Sequence, residues 1–125
     1  MPHLPYSIEL HDSRVSGLTL EDGVATVHLN PAYIHRDGKG WKQEALLVVQ
    51  GATLEASQTE FPATCADGAL RTPRGPYHNL LHLPLEEHGP LSLELEFFSG
   101  GAATVEGASI RVTLVGVPIF VEDVT

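Results

Sequence analysis

An all-β fold, drawn as a two-sheet antiparallel sandwich, is what this 125-residue sequence predicts, with a jelly-roll-like or partly closed barrel as the alternative. Two observations carry the prediction. No stretch of eleven or more residues has apolar side chains at helical spacing between recognisable caps. The 12 Gly and 9 Pro are instead spread as punctuation between short apolar runs, many of which alternate.

The first element is a hairpin. Asp22-Gly23 separates Leu18–Glu21 from Val24–Leu29, and Asp-Gly between alternating runs favours a two-residue turn. Counting outward pairs Glu21 with Val24, Leu20 with Ala25, Thr19 with Thr26, Leu18 with Val27 and Gly17 with His28. Leu18, Leu20, Ala25, Val27 and Leu29 then share one face, expected to be buried, and Thr19, Thr26 and His28 the other.

After Asn30-Pro31, the stretch Ala32–Trp41 reads as a surface loop or hairpin tip, with Asp37-Gly38 and Lys39-Gly40 expected to break regular structure. Glu44–Val49 is apolar without alternation, as a strand covered on both faces is, and a bulge is expected at Gly51 before Ala52–Glu55 continues. Leu91, Leu93, Leu95 and Phe97 alternate with polar residues as a half-buried strand does, and Gly100-Gly101 turns the chain back. The last strand carries Ile110, Val112 and Leu114 in one phase, continued by Val117, Ile119 and Val121; Pro118 makes it an edge or places a bulge there.

Length and a hydrophobic fraction of 42% fit one domain, residues 1–125, with a single core. Seven Lys+Arg against 16 Asp+Glu leave a net charge of -9, which repels nucleic-acid phosphates and anionic membranes, so neither is an expected partner. The first fifteen residues lack the basic start and apolar stretch of a secretory signal, and no run is long enough to span a bilayer. The one cysteine, Cys65, has no partner for an internal disulfide, which makes a reduced, cytoplasmic setting the expectation.

The stretch Pro76–His88, PYHNLLHLPLEEH, gathers three histidines and two glutamates. On a helix His78 and His82 would share a face about 5–6 Å apart and both reach one zinc. On a strand four steps of ~3.3 Å separate them by about 13 Å, too far for one ion without a sharp bend. A helix between Pro76 and Pro84 would have about two turns and no cap, so the extended form is preferred, with Leu81, Leu83 and Leu85 inward and His78, His82, Pro84, Glu86 and His88 on the other side. A divalent metal such as zinc on His78 and His82 is the alternative to no cofactor.

His11-Asp12 reads as a strand end or turn in which Asp12-Ser13 takes backbone hydrogen bonds; on a strand the two side chains would point to opposite faces. Tyr33, His35, Arg36 and Trp41 combine aromatics and charge around flexible glycines, the ingredients of a recognition surface, and with His11 they are the candidate ligand-binding residues. Trp41 is expected chiefly to anchor the segment to the core. No phosphate-binding glycine loop, nucleophile elbow, Cys-x-x-Cys or His-Glu-x-x-His occurs, and no catalytic residue is assigned.

The stretch Ile8–Val15, followed by the Leu-x-Leu hairpin and by Tyr33-Ile34-His35-Arg36, resembles the opening of small uncharacterised bacterial all-β domains, some of them similar to immunity proteins that neutralise toxins. That resemblance implies a non-enzymatic cytoplasmic domain with a basic protein partner. The residues themselves lead to a binding or interaction domain for a protein or small-molecule ligand, with a homo-oligomer paired through the Pro118 edge as a further possibility. The opposing reading is a metal-dependent enzyme of small-barrel type, using two or three of His11, His28, His35, His78 and His82.

Overall fold

A computed structural model describes residues 6–57 and 59–123 of the chain. Among them are ten strands: β1 Ser7–Glu9, β2 Arg14–Glu21, β3 Val24–Arg36, β4 Lys39–Gln50, β5 Thr53–Ser57, β6 Ala63–Thr72, β7 Gly75–His78, β8 Leu80–His82, β9 Glu86–Phe97 and β10 Ala102–Asp123. All of their pairings are antiparallel, and no helix is present among the described residues. The all-β, antiparallel class is therefore as predicted.

Hydrogen-bonded neighbours lead from β2 through β6, β9, β10, β4 and β3, and β3 pairs back to β2. This ring is a partly closed barrel rather than a clean one, because its seam, β2 on β6, rests only on Arg14↔Thr64 and Val15↔Ala63. The inward residues of the ring form the core, among them Val27, Leu29, Leu47, Leu70, Leu93 and Val105, all essentially without solvent exposure.

The first hairpin has the predicted register at every counted position, from Glu21↔Val24 to Gly17↔His28. Both turn residues take left-handed backbone angles, φ 51° at Asp22 and 76° at Gly23, which Asp-Gly tolerates and which match the twist of the strands. The predicted buried face holds on β3, where Ala25, Val27 and Leu29 are buried, but fails on β2: Leu20 is 46% exposed. Past Val15, β2 has β3 on one edge and, among the described residues, no strand on the other, so its tip overhangs the core.

Ala32–Trp41 is the hairpin tip of the two forms expected, and Asp37-Gly38, with φ 54° and 71°, is its turn. Lys39-Gly40 does not break regular structure; it begins β4, paired as Lys39↔Arg36 and Gly40↔His35. Gly51 inserts no residue. Gln50 pairs with Ser109 and Thr53 with Glu106, leaving two residues on each side, so Gly51 (φ 62°) bends the chain without a bulge against β10. The register shift in this region lies in β9, where Gly89-Pro90 stand against Ala108.

Leu91, Leu93, Leu95 and Phe97 of β9 are buried as predicted, and Gly100 (φ 101°) makes the turn into β10. The break expected at Pro118 is present in both forms. Gly116, Val117 and Pro118 stand opposite the single residue Gln43, whose side-chain amide donates to the Gly116 carbonyl at 2.8 Å. β9 leaves β10 after Arg111, so among the described residues the second half of β10 is paired by β4 alone. The bulge adds two residues and so keeps the phase of Ile110, Val112 and Leu114, and the buried positions do not pass to Val117, Ile119 and Val121 as expected. Phe120, not Ile119, pairs with Trp41 on the inward side, and Val117, Ile119 and Val121 are exposed.

Candidate functional site

A second bulge builds the site. In β3, Leu29 pairs with Ala45 and Ala32 with Gln43, so Asn30 and Pro31 stand against Glu44 alone; Arg14 donates to the Asn30 carbonyl at 3.0 Å. Leu29 and Ala32 then both face the core, and every later residue of β3 is re-phased: Ile34 goes inward while Tyr33 and His35 go outward. β1 lies beside this part of β3 and β8 beside β1, giving a five-stranded surface β8-β1-β3-β4-β10.

Because directly paired residues share a face, the registers define rows across this surface. Leu81, Ile8, Ile34, Trp41 and Phe120 form an inward row, buried at Leu81 and half exposed by Phe120. Two rows face outward. One is His82, Ser7, His35, Gly40 and Glu122; the other is Leu80, Glu9, Tyr33, Lys42 and Ile119.

Ser13 fixes the position of Glu9. Its buried hydroxyl donates to the Glu9 carbonyl at 2.6 Å and accepts from the Tyr33 N–H at 3.0 Å, joining β1 to β3. The turn between β1 and β2 is held to β6 by Asp12 N–H to the Cys65 carbonyl and Cys65 N–H to the Ser13 carbonyl, both at 2.9 Å. Asp12 is left-handed there, φ 74°, and Ser13 N–H closes on the Leu10 carbonyl. The expected turn at Asp12-Ser13 is present. In a turn, however, His11 and Asp12 need not diverge: His11 Nδ1 lies 3.1 Å from Asp12 and 3.7 Å from Glu9.

His35 is only 5% exposed although it lies on an outward row. Its Nε2 lies 2.9 Å from Glu9 Oε1, and its buried Nδ1 has no hydrogen-bond partner among the described residues. The Tyr33 ring stands edge-on to it at 5.1 Å and sends its hydroxyl across β4 to donate to Glu122 Oε1 at 2.5 Å. Gly40 makes that crossing possible, because a Cβ there would occupy the position of the Tyr33 hydroxyl. Burial, then the neighbouring Glu122 carboxylate, holds the Tyr33 phenol well above the usual tyrosine range.

The five candidate residues thus fall on one part of the molecule in two groups. His11, Tyr33 and His35 gather round Glu9 on the outward side. Arg36 lies over the Tyr6 ring at 5.9 Å and accepts the Trp41 indole N–H on its carbonyl at 3.3 Å, while Trp41 meets Phe120 edge-on at 5.5 Å. Trp41 anchors the hairpin tip, as expected, and leads the inward row out to solvent. Glu9, Glu122 and Phe120 were not singled out from sequence. Glu9 meets His35 and Glu122 meets Tyr33 through strand pairing over long separations, for which the sequence carried no local signal; Phe120 was missed because the buried phase was expected to pass to Val117, Ile119 and Val121.

His78 and His82 are not brought together. The extended form is the one adopted, but Asn79 (φ 62°) divides it into β7 and β8, and its amide is tied to Asp67 and Gly68 of β6. His78 Nε2 lies 2.9 Å from Asp67 Oδ1, and His82 meets the Tyr77 ring at 5.8 Å. Leu81 and Leu85 are buried as expected, and Leu83 is half buried. Among the described residues one group of three or more ligating side chains converges: Glu9, His11 and Asp12, whose ligand atoms lie within 4.8 Å of one another.

The most exposed apolar surface adjoins these rows. Val117 is 82% exposed, Ile119 67% and Phe120 50%, all on the half of β10 that has a strand on one edge only. An open groove of about 820 Å³, lined by residues such as Thr59, Pro62 and Phe98, lies near the β1–β2 turn, where His11 meets Phe98 at 5.8 Å. No helix among the described residues is long and apolar enough to cross a membrane. Comparison with protein-family models, with curated proteins and with solved structures finds no match.

Proposed function

We propose that the protein is a non-enzymatic interaction module that takes an extended segment of a partner protein along the second half of β10. One observation carries this reading: large apolar side chains at Val117, Ile119 and Phe120 stand exposed on a strand that, among the described residues, has β4 on one side and no strand on the other. An exposed apolar edge is costly to leave in water, and natural sheets blunt such edges with charge, with proline or with bulges; this edge has Pro118 and its bulge but no charge. Here residues 112–121, VTLVGVPIFV, carry no acid or base. An incoming strand would gain main-chain hydrogen bonds and cover both the Ile119 and the Phe120 side chains.

The setting that goes with this reading is cytoplasmic and free of nucleic acid. A net charge of -9 opposes phosphate binding, and Cys65 is buried, its thiol pushed by burial up to about 11, as suits a structural thiol rather than a reactive one. Selection from a library of displayed linear peptides tests the proposal. Enriched peptides are expected to alternate apolar residues and to lose about tenfold or more in affinity on Ile119→Lys. Failure to enrich any peptide, or peptides that bind Ile119→Lys equally, would remove the reading.

A second reading is favoured by the convergence of Glu9, His11 and Asp12, which offers a divalent cation two carboxylates and an imidazole. Metal analysis of protein purified without a histidine tag decides it. Stoichiometric metal that is lost on His11→Ala supports a metal site; metal-free protein whose melting is unchanged by chelator removes it.

A further inference from the structure

We infer that the partner at this edge is a second copy of the same chain, paired antiparallel along residues 115–123 about a two-fold axis at Ile119. The inference rests on the interaction reading above and names its occupant.

Self-complementarity is the first argument. Antiparallel pairing of this strand with itself about Ile119 sets Ile119 against Ile119, Val117 against Val121 and Pro118 against Phe120. The two acids at the end of β10 then meet uncharged residues, Glu122 facing Gly116 and Asp123 facing Val115, so no like charges are directly opposed. Charge also argues against the alternative occupant. A basic protein drawn by the -9 charge would find no carboxylate from Val112 to Val121, whereas an equally uncharged strand loses nothing by covering it.

The rows give the second argument. Ile119 ends the outward row that holds Tyr33 and Lys42, and Phe120 ends the inward row that runs from Ile34 through Trp41. A second copy would continue the Ile119 row directly across the axis and set Pro118 against the Phe120 that ends the other row, burying apolar side chains on both faces of the joined sheet. The Gly116–Pro118 bulge limits how far the new ladder extends, and a two-fold contact uses the same patch on both copies, so pairing closes at two.

The test is the mass of the full chain in solution. Wild type is expected to sediment at twice 13.4 kDa with dissociation on dilution, and Ile119→Lys, at a position 67% exposed, to sediment at 13.4 kDa with an unchanged circular dichroism spectrum. A second variant makes the geometry explicit. Residues directly opposite in an antiparallel pair have Cβ atoms about 4.5–5.5 Å apart, close to disulfide range, so Ile119→Cys should oxidise to a covalent dimer and Thr104→Cys, inside the paired half of β10, should not. A wild type of 13.4 kDa at every concentration overturns the inference, as does a dimer that survives Ile119→Lys or an Ile119→Cys that does not cross-link. A monomer that still selects edge-binding peptides overturns the second copy alone; a monomer that selects none overturns the interaction reading with it.

Discussion

Tyr33 and Glu122, 89 residues apart in sequence, share a 2.5 Å hydrogen bond that passes over Gly40 and fastens the end of β10 to β3 across β4. The bond requires a protonated phenol and a residue without a side chain beneath it. Gly40→Ala is therefore expected to displace the Tyr33 ring and to destabilise the protein by about 1–3 kcal/mol, as overpacking does. Urea unfolding measures it. The same substitution in a Tyr33→Phe background should cost less, because no hydroxyl remains to be displaced.

The raised Tyr33 pKa sets a pH dependence. A group whose folded pKa lies above its unfolded value of 10.0 binds its proton more tightly in the native state, so its contribution is complete below pH 10 and is lost as pH rises beyond it. Stability is expected to fall above about pH 10 more steeply in wild type than in Tyr33→Phe. Parallel unfolding curves for the two proteins through that range would contradict the assignment.

Ser13 joins β1 to β3 through one buried hydroxyl, with Glu9 C=O as acceptor and Tyr33 N–H as donor. Ser13→Ala removes both of these buried bonds and is expected to cost about 1–3 kcal/mol. A loss within about 0.5 kcal/mol, the range of ordinary surface changes, would show that the hydroxyl is dispensable.

Much of the fold was legible wherever a turn signal and an alternating run agreed. Asp22-Gly23 set the register of the first hairpin, the Leu91–Phe97 alternation named the buried face of β9, and Pro118 marked the break in β10. What escaped were the consequences of bulges and edges. Asn30-Pro31 opposite Glu44 re-phases β3 and turns Tyr33 and His35 outward, whereas Gly116–Pro118 opposite Gln43 adds two residues and keeps the phase of Leu114, leaving Phe120 inward and Ile119 outward. Leu20 alternates as a core residue does, yet it lies past the end of the neighbouring strand. The candidate residues Tyr33, His35 and His11 were visible by type, but Glu9, two residues before His11, meets His35 only through β1–β3 pairing.

That contrast is itself testable. Leu20→Ser should change stability by no more than about 0.5 kcal/mol, whereas Leu29→Ala, its counterpart on the same hairpin face, should cost about 2–5 kcal/mol. Equal costs would place Leu20 in the core.

The central claim is that partners meet this protein along the second half of β10. Amide hydrogen exchange, compared with and without a selected extended peptide bound, tests it most directly. The account predicts slowed exchange across residues 113–121 and no change in the β1–β2 turn or the Phe98 groove; protection at either of those places, with residues 113–121 unaltered, would contradict it.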